Sequence, residues 1–143
     1  MFVDYNYSNF PIVNVNINET TINDTEFENF KAGWMHCFTY QRPWTFIFNA
    51  QNIGTISMKY IIKIATFIQK LKKNPDYNNK LERSIIITSS KTVDMLLKIV
   101  FNLTRPQAPV FILYDNSPDY ISSILSKIKN NEPLPRNIKT YHP

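Results

Sequence analysis

Three short apolar runs, separated along the chain by helical patterns, restrict this sequence to a small set of folds. They read WTFIF at Trp44–Phe48, SIIIT at Ser84–Thr88 and VFILY at Val110–Tyr114. Each run is rich in β-branched and aromatic residues, which is typical of strands buried on both faces of a parallel sheet. We therefore expect these runs to be the central strands of the protein.

A further strand is predicted by strict alternation nearer the start of the chain. Ile12–Asn18 reads I-V-N-V-N-I-N, a period of two. Val13, Val15 and Ile17 then face the core while the asparagines face outward. Because a strand with one wet face normally lies near a sheet edge, we predict an edge strand here. A weaker strand pattern at Phe2–Tyr7 precedes it, and the sequence leaves open whether this segment joins the sheet.

The first helical pattern follows these strands. Thr25 is a candidate N-cap for a helix over Glu26–Tyr40, with Glu28 reaching back as in a capping box. The helix would bury one stripe of apolar residues, formed by Phe27, Phe30, Trp34 and Cys37.

Three more helices are predicted between and after the buried runs. They cover Ser57–Lys73, Lys91–Leu103 and a segment capped by Ser117, with Pro118 at the first helical position. Their apolar positions are Ile61, Ile64, Ile68 and Leu71 in the first, Leu96, Ile99, Val100 and Leu103 in the second, and Tyr120, Ile121, Ile124, Leu125 and Ile128 in the third.

The element order is therefore β-β-α-β-α-β-α-β-α. Strands that alternate with helices of this length predict right-handed βαβ units and a three-layer α/β fold, with a mostly parallel sheet of about five strands covered on both faces. The chain of 143 residues suits one domain, which we place at residues 1–131. Residues 132–143 form a proline-containing tail that we expect to be extended.

Several segments in this order are similar to those of one family. TFIFNAQNIGTIS has Asn49 where that family has an Asp, and Gly54 in its turn; YNNKLER precedes the second buried run. The next elements of that family are a gate helix, a loop and a strand, and they correspond in order to Lys91–Leu103, Pro106 and Val110–Leu113. Leu134-Pro135 matches a later Leu-Pro segment. The stretch from Thr45 to Arg136 resembles the C-terminal lobe of CRAL-TRIO lipid-binding domains, within the STAS/SpoIIAA-like fold group.

The resemblance implies a hydrophobic ligand between the sheet and the Lys91–Leu103 gate helix. The residues implied for its binding are Met95, Leu96, Ile99 and Phe101. The chain departs from the family in four ways. The helical N-terminal lobe is absent, the Tyr-Pro-Glu motif has lost its Pro, Asn49 replaces the acid, and the gate helix is short and charged. The D-S-S-G motif of phosphorylated STAS regulators is also missing, and Ser57 at that place is explained as an N-cap.

The residue inventory disfavours an enzyme. Gly33 and Gly54 are the only two glycines, so no glycine-rich phosphate loop is present. Cys37 lies beside His36, but adjacent helical residues point about 100° apart, and the thiol falls on the buried stripe. We predict no catalytic residues, no metal site and no cofactor.

The ends of the parallel strands are a candidate site for a polar ligand or headgroup, because sheets covered on both faces bind ligands there. An ordinary set of helix-capping loops is the alternative. The polar side chains concerned are Asn49, Gln51, Asn52, Ser89, Ser90, Asp115 and Asn116.

The charge is distributed unevenly. Residues 1–30 contain five acidic residues and no basic residue, whereas all 16 Lys and Arg follow. Four lysines share one predicted helix face and form a candidate basic interaction surface: Lys59, Lys63, Lys70 and Lys73. An anionic lipid surface or an acidic protein suits such a face, a solubilising role is the alternative, and no motif accompanies it that would favour nucleic acid.

The sequence therefore favours a non-catalytic interaction or scaffold module that uses the edge strand at Ile12–Asn18, the basic face and the tail to bind a partner or itself. The composition suggests an AT-rich genome, so a component of a large-virus particle is one such role. The alternatives are a small CRAL-TRIO-like protein that binds a lipid or other hydrophobic ligand and, with less support, a STAS-like regulator. No apolar run suits a membrane span and the N-terminus does not resemble a signal peptide, so we expect a soluble cytoplasmic or virion-associated protein.

Overall fold

A computed structural model describes residues 2–18, 21–51, 53–77 and 79–143, and over these ranges it contains six strands and four α-helices. Asn52, one of the predicted strand-end residues, lies outside the described ranges. The elements in chain order are β1 Val3–Asn6, β2 Ile12–Ile17, α1 Asp24–Cys37, β3 Trp44–Asn49, α2 Met58–Lys73, β4 Leu81–Ile87, α3 Lys91–Leu103, β5 Val110–Leu113, α4 Pro118–Lys129 and β6 Lys139–Tyr141.

The strands lie side by side in the order in which they occur in the sequence. β2, β3, β4 and β5 are parallel, and β1 and β6 pair antiparallel at the two edges. Helices α1, α2 and α3 pack on one face of the sheet and α4 packs on the other. The predicted three-layer α/β class with a mostly parallel sheet is confirmed, with six strands instead of about five.

The two additional findings concern the sheet edges. β1 joins the sheet, because Val3 pairs with Ile17 and the Asn18 backbone N–H donates to the Phe2 carbonyl at 2.8 Å. The prediction of an edge strand at Ile12–Asn18 was therefore wrong: β2 lies one strand in, covered by β1. At the other edge the tail residues Lys139–Tyr141 form β6 against β5, a three-residue strand that no alternation signalled.

Helix α1 begins at Asp24, two residues before the predicted start at Glu26. Asn23, not Thr25, is the N-cap, and its side-chain oxygen accepts from the Glu26 backbone N–H at 2.8 Å. The Glu26 carboxylate accepts from the Phe2 backbone N–H at 2.7 Å, and Glu28 pairs with Lys31 at 3.0 Å instead of forming a capping box. The helix ends at Cys37 and a 3-10 turn follows, so the predicted extension to Tyr40 is not α-helical.

The core lies on both sides of the sheet. On the α1–α3 side it contains the predicted apolar stripe of α1, together with Trp44 and Phe46 of β3. On the α4 side Ile85, Ile87 and Leu113 pack against Ile124 and its neighbours, as the apolar pattern of α4 predicts. β3 is less buried than expected, because Ile47 and Phe48, which belong to the predicted run, are only partly buried. None of the helices in the described ranges is long and apolar enough to cross a membrane.

Candidate functional site

The strand register places small residues in the middle of the sheet face that α2 and α3 cover. Ser84 of β4 lies between Phe46 of β3 and Val110 of β5, and its side chain is 5% exposed. Ala50 and Ala108, in the loops that follow β3 and precede β5, are also buried. Serine and alanine fill much less of the space beneath the helices than the aromatic residues of β3 do, so room remains at this point.

The helices cover this region without filling it. A cavity of about 130 Å³ lies between the sheet and the helices, and the atoms that form its accessible wall are apolar. The wall is formed by Phe2, Ile17, Phe48, Ser84, Ile86 and Val110 of the β1–β5 region, Phe30 and Trp34 of α1, Ile64 and Ile68 of α2, Val93, Leu96, Leu97, Val100 and Phe101 of α3, and the loop residues Ile22, Ala50, Ile53, Ile56, Leu81, Pro106, Gln107 and Ala108.

The size and lining of the cavity indicate what it can hold. An engineered apolar cavity of about 150 Å³ stays dry and takes up benzene or xenon, whereas a water molecule needs two to four polar partners. A cavity of about 130 Å³ with an apolar wall is therefore suited to a small hydrophobic molecule. It is well below the roughly 300–1,000 Å³ of pockets for drug-sized ligands.

Two residues of the wall carry buried polar atoms without a hydrogen-bond partner among the described residues, Trp34 through Nε1 and Gln107 through Oε1. The Gln107 Nε2 donates to the Tyr77 carbonyl at 2.8 Å, which holds the side chain in place. The Trp34 ring meets the Phe46 and Phe67 rings edge to face, at centroid distances of 4.9 and 5.5 Å.

Two of the four ligand-binding residues that the CRAL-TRIO resemblance implied line the cavity, and two do not. Leu96 and Phe101 line the cavity. Met95 is 59% exposed on the outer side of α3, and Ile99 is half-buried beside the core. The predicted apolar stripe of α3 was also partly wrong, because Val93, Leu97 and Val100 are its buried residues and Leu103 is 55% exposed.

The polar side chains at the strand ends mostly serve local structure. Ser90 caps α3, accepting from the Thr92 and Val93 backbone N–H groups. Asn49 accepts from the Gln51 backbone N–H at 3.3 Å, and Asp115 accepts from the Ser117 backbone N–H at 2.8 Å. The Asn116 side chain donates to Gln51 at 3.2 Å, which joins two of these loops, and Ser89 is exposed. The arrangement fits the capping alternative better than a preformed polar site.

The four lysines of the predicted basic face divide into two pairs. Lys59 and Lys63 lie 3.5 and 3.3 Å from Asp24 at the start of α1, so this end of the face is partly neutralised. Hydrogen bonds from Tyr60 and Lys63 to Asp24, with the charges of both lysines, lower the pKa of that carboxyl. Lys70 and Lys73 are exposed near the end of α2.

Cys37 and His36 are not arranged as a catalytic pair. Cys37 is fully buried and donates weakly to the Gly33 carbonyl, and burial raises the pKa of its thiol to about 12. His36 is exposed and packs against the rings of Tyr7 and Tyr40. Over the described ranges, no group of three or more His, Cys, Asp or Glu side chains could hold a metal ion.

Three comparisons bear on the family of this chain. No protein-family model, no curated protein and no solved structure matches it. Membership of the CRAL-TRIO or STAS families therefore stays a prediction, and the site has to be interpreted from its own geometry.

Most of the cavity wall was not identified from the sequence. The sequence feature that could have indicated the cavity is Ser84, a small polar residue at the start of the otherwise aliphatic run SIIIT. Its significance depends on which residues lie beside it in the sheet, Phe46 and Val110, and on the helices that cross above it. Neither is encoded in local periodicity.

Proposed function

We propose that the protein is a non-catalytic binding module that holds a small apolar molecule in the cavity beneath α2 and α3. The observation that carries this proposal is the apolar cavity of about 130 Å³ at the centre of the helix-covered sheet face. The proposal takes the hydrophobic-ligand alternative of the sequence analysis in a smaller form. A complete lipid exceeds this volume and would require α3 to move away from the sheet.

The environments of the reactive side chains support the non-catalytic part of this proposal. The Cys37 thiol is buried with a raised pKa, so little thiolate, the nucleophilic form, exists at neutral pH. Ser90 and Asp115 are engaged in helix capping and loop hydrogen bonds. A native protein that reacted quickly with iodoacetamide at pH 8 would contradict the first of these points.

The ligand proposal is tested by titrating benzene and indole into the purified protein and measuring the shift of its unfolding temperature. A ligand that binds only the folded state stabilises it, by about 2.7 kcal/mol at a concentration of 100 Kd. We expect a saturable stabilisation that Ser84→Val abolishes, since added methyl groups occupy the void. Ser123→Val, on the exposed side of α4, is the matched control and should bind as the unmodified protein does.

Native mass spectrometry of freshly purified protein tests whether the protein retains a natural ligand. A retained molecule of small mass, released by organic extraction, would support the proposal. A protein that carries nothing and shows no saturable stabilisation with any small apolar probe would contradict it.

A second candidate is self-association, which corresponds to the assembly role predicted from the sequence. Its supporting observation is that β1 is an edge strand of the six-stranded sheet formed by the described residues. Because Asn18 donates to Phe2, the even-numbered residues of β1 face β2, and the backbone groups of Val3 and Tyr5 point to the open edge. An edge strand of this kind is a template for pairing with a second copy.

The assembly proposal is tested by sedimentation equilibrium. We expect a concentration-dependent dimer that Asp4→Lys weakens, because lysine on an edge strand opposes edge-to-edge pairing. Asp119→Lys makes the same change of charge on α4 and serves as the control. A monomer at all concentrations, or equal effects of the two variants, would reject assembly through β1.

A further inference from the structure

The outer surface of helices α2 and α3 combines exposed apolar residues with exposed lysines. Met58 and Ile62 of α2 are 53% and 49% exposed, and Met95 and Leu103 of α3 are 59% and 55% exposed. None of the four lines the cavity. Large apolar side chains gathered on the surface mark sites of interaction more often than scattered ones do.

The contacts of α2 show which way its exposed apolar residues point. Tyr60 and Phe67 pack against the rings of Phe27 and Phe30 on α1, at centroid distances of 6.2 and 6.1 Å. At 100° per residue, Met58 and Ile62 lie on the side of the helix turned away from these contacts. They therefore lie on the α3 side of α2.

The contacts of α3 give the corresponding orientation for its own exposed residues. Phe101 packs on Tyr141 of β6 at 4.9 Å, and Asp94 accepts from the Tyr114 hydroxyl at 3.1 Å. Leu103 lies on the opposite side of the helix, which faces α2, and Met95 lies between that side and the outer surface. Since α2 and α3 are neighbours, the four apolar residues border the seam between them.

Lysines flank this seam on both helices. Lys73 lies on α2 and Lys91 and Lys98 lie on α3, and none of the three has an acidic partner among the ion pairs of the described residues. α2 contains no Asp or Glu, and the only acid of α3, Asp94, is held by Tyr114. The surface thus has an apolar centre and a cationic border.

We propose that the α2–α3 seam, defined by Met58, Ile62, Met95 and Leu103, binds an acidic amphipathic helix of a partner protein. The apolar residues repeat at the spacing of helical turns, as a helix that lies along the seam requires. The lysines on each side complement acidic residues on both flanks of that helix. Two of the four residues are methionines, whose flexible side chains adapt to a partner helix.

The composition of the seam favours a helix over an anionic bilayer. Surfaces that insert into the membrane interface use Trp and Phe with their apolar residues, and the seam has no aromatic residue. Both tryptophans of the chain are buried, at 6% and 1% exposure.

The proposal is tested with a synthetic helix of about 18 residues, which has leucine along one face and glutamate elsewhere. We expect binding that Lys91→Gln with Lys98→Gln weakens about tenfold, since rim ion pairs contribute a factor of a few each. Met95→Ser with Ile62→Ser should weaken it by a further factor of about ten at high salt, where the apolar contact dominates. Lys127→Gln with Lys129→Gln on α4 removes the same charge and should have little effect.

A peptide of the same composition with a scrambled order separates the proposal from general attraction to a basic protein. Equal binding of the two peptides, or equal loss in the α3 and α4 lysine variants, would overturn it. Binding to vesicles that contain phosphatidylserine, with no binding to either peptide, would overturn it in favour of a membrane surface. Because the seam residues do not line the cavity, each outcome is independent of the ligand proposal.

Discussion

The helix-covered face of the sheet is packed differently under α1 and under α3. Under α1 the contacts are aromatic: Trp34 meets Phe46 and Phe67 edge to face, and Phe30 meets Trp34 at 5.9 Å. Under α2 and α3 the same face contains small residues, Ser84 among them, and the cavity lies there, with Phe30 and Trp34 forming its wall on the α1 side. Both helices connect neighbouring parallel strands, so the difference comes from the size of the side chains that the strands present.

The two regions of this core therefore have different properties, since one is tightly packed and the other contains free space. Close-packed interiors respond to the addition or removal of a single methyl group, whereas a void tolerates added volume. The α1 region therefore holds the fold together, and the α3 region leaves room for a ligand. Changes of similar size in the two regions should therefore have different effects on stability.

The largest effect is expected from truncating a ring in the aromatic region. Phe46→Ala should lower the free energy of unfolding by about 3–5 kcal/mol, because its fully buried ring contacts Trp34 and Trp44. Phe48→Ala, two residues along the same strand face, should cost about 2 kcal/mol, because that ring already borders the void. Urea denaturation of both variants measures the difference, and equal costs would mean that the two regions are packed alike.

Adding a methyl group to the aromatic region should destabilise the protein. Gly33→Ala would place a Cβ against the Tyr5 ring, whose hydroxyl is anchored to the Phe30 carbonyl at 2.7 Å. We expect a loss of about 1–3 kcal/mol, although the same change in an exposed helix stabilises by about 1 kcal/mol. In a Tyr5→Ala background the penalty should disappear, and a penalty that persisted would place its cause elsewhere.

Adding volume to the α3 region should have the opposite sign. Ser84→Val should raise the free energy of unfolding by about 1 kcal/mol, since a buried hydroxyl is replaced by methyl groups that fill space. Thermal and urea unfolding report the change. A destabilisation of similar size would show that the side chain at this position has no free volume around it.

The smallest effect concerns the polar contact that joins α1 to α2. The pKa of Asp24 is below its ordinary value of 3.8, chiefly because Tyr60 donates a hydrogen bond to it at 2.9 Å. A carboxyl with a lowered folded-state pKa stabilises the protein above its unfolded pKa, and the contribution is lost as the pH falls through the folded pKa. Asp24→Asn should therefore lower the unfolding temperature slightly at pH 7 and leave it unchanged near pH 2. A difference that is the same at both values would exclude the charge as its source.

The sequence predicted those features that depend on local pattern. The three apolar runs became β3, β4 and β5, and Lys91–Leu103 is the helix expected. Local pattern did not identify the N-cap of α1, because more than one residue near the start of the helix is suited to that position. Asn23 and Thr25 are both good caps, and in the structure it is the Asn23 side chain that accepts from the Glu26 backbone N–H.

Other features depend on tertiary contacts that no local pattern contains. α3 is apolar at most positions, so periodicity did not decide whether Leu97 or Leu103 faces the sheet. β6 is three residues long and is formed by its pairing with β5. The cavity depends on Ser84 lying between Phe46 and Val110, which is a property of the register.

The most direct test of the account is to follow the methyl groups of the protein by NMR while benzene is added. The cavity predicts saturable shifts for Ile86, Val93 and Val100, which line it. It predicts no shift for Leu113 and Ile124, which lie in the core on the α4 side of the sheet. Shifts spread over both cores, or no saturation in any methyl group, would contradict a ligand-sized void beneath α3.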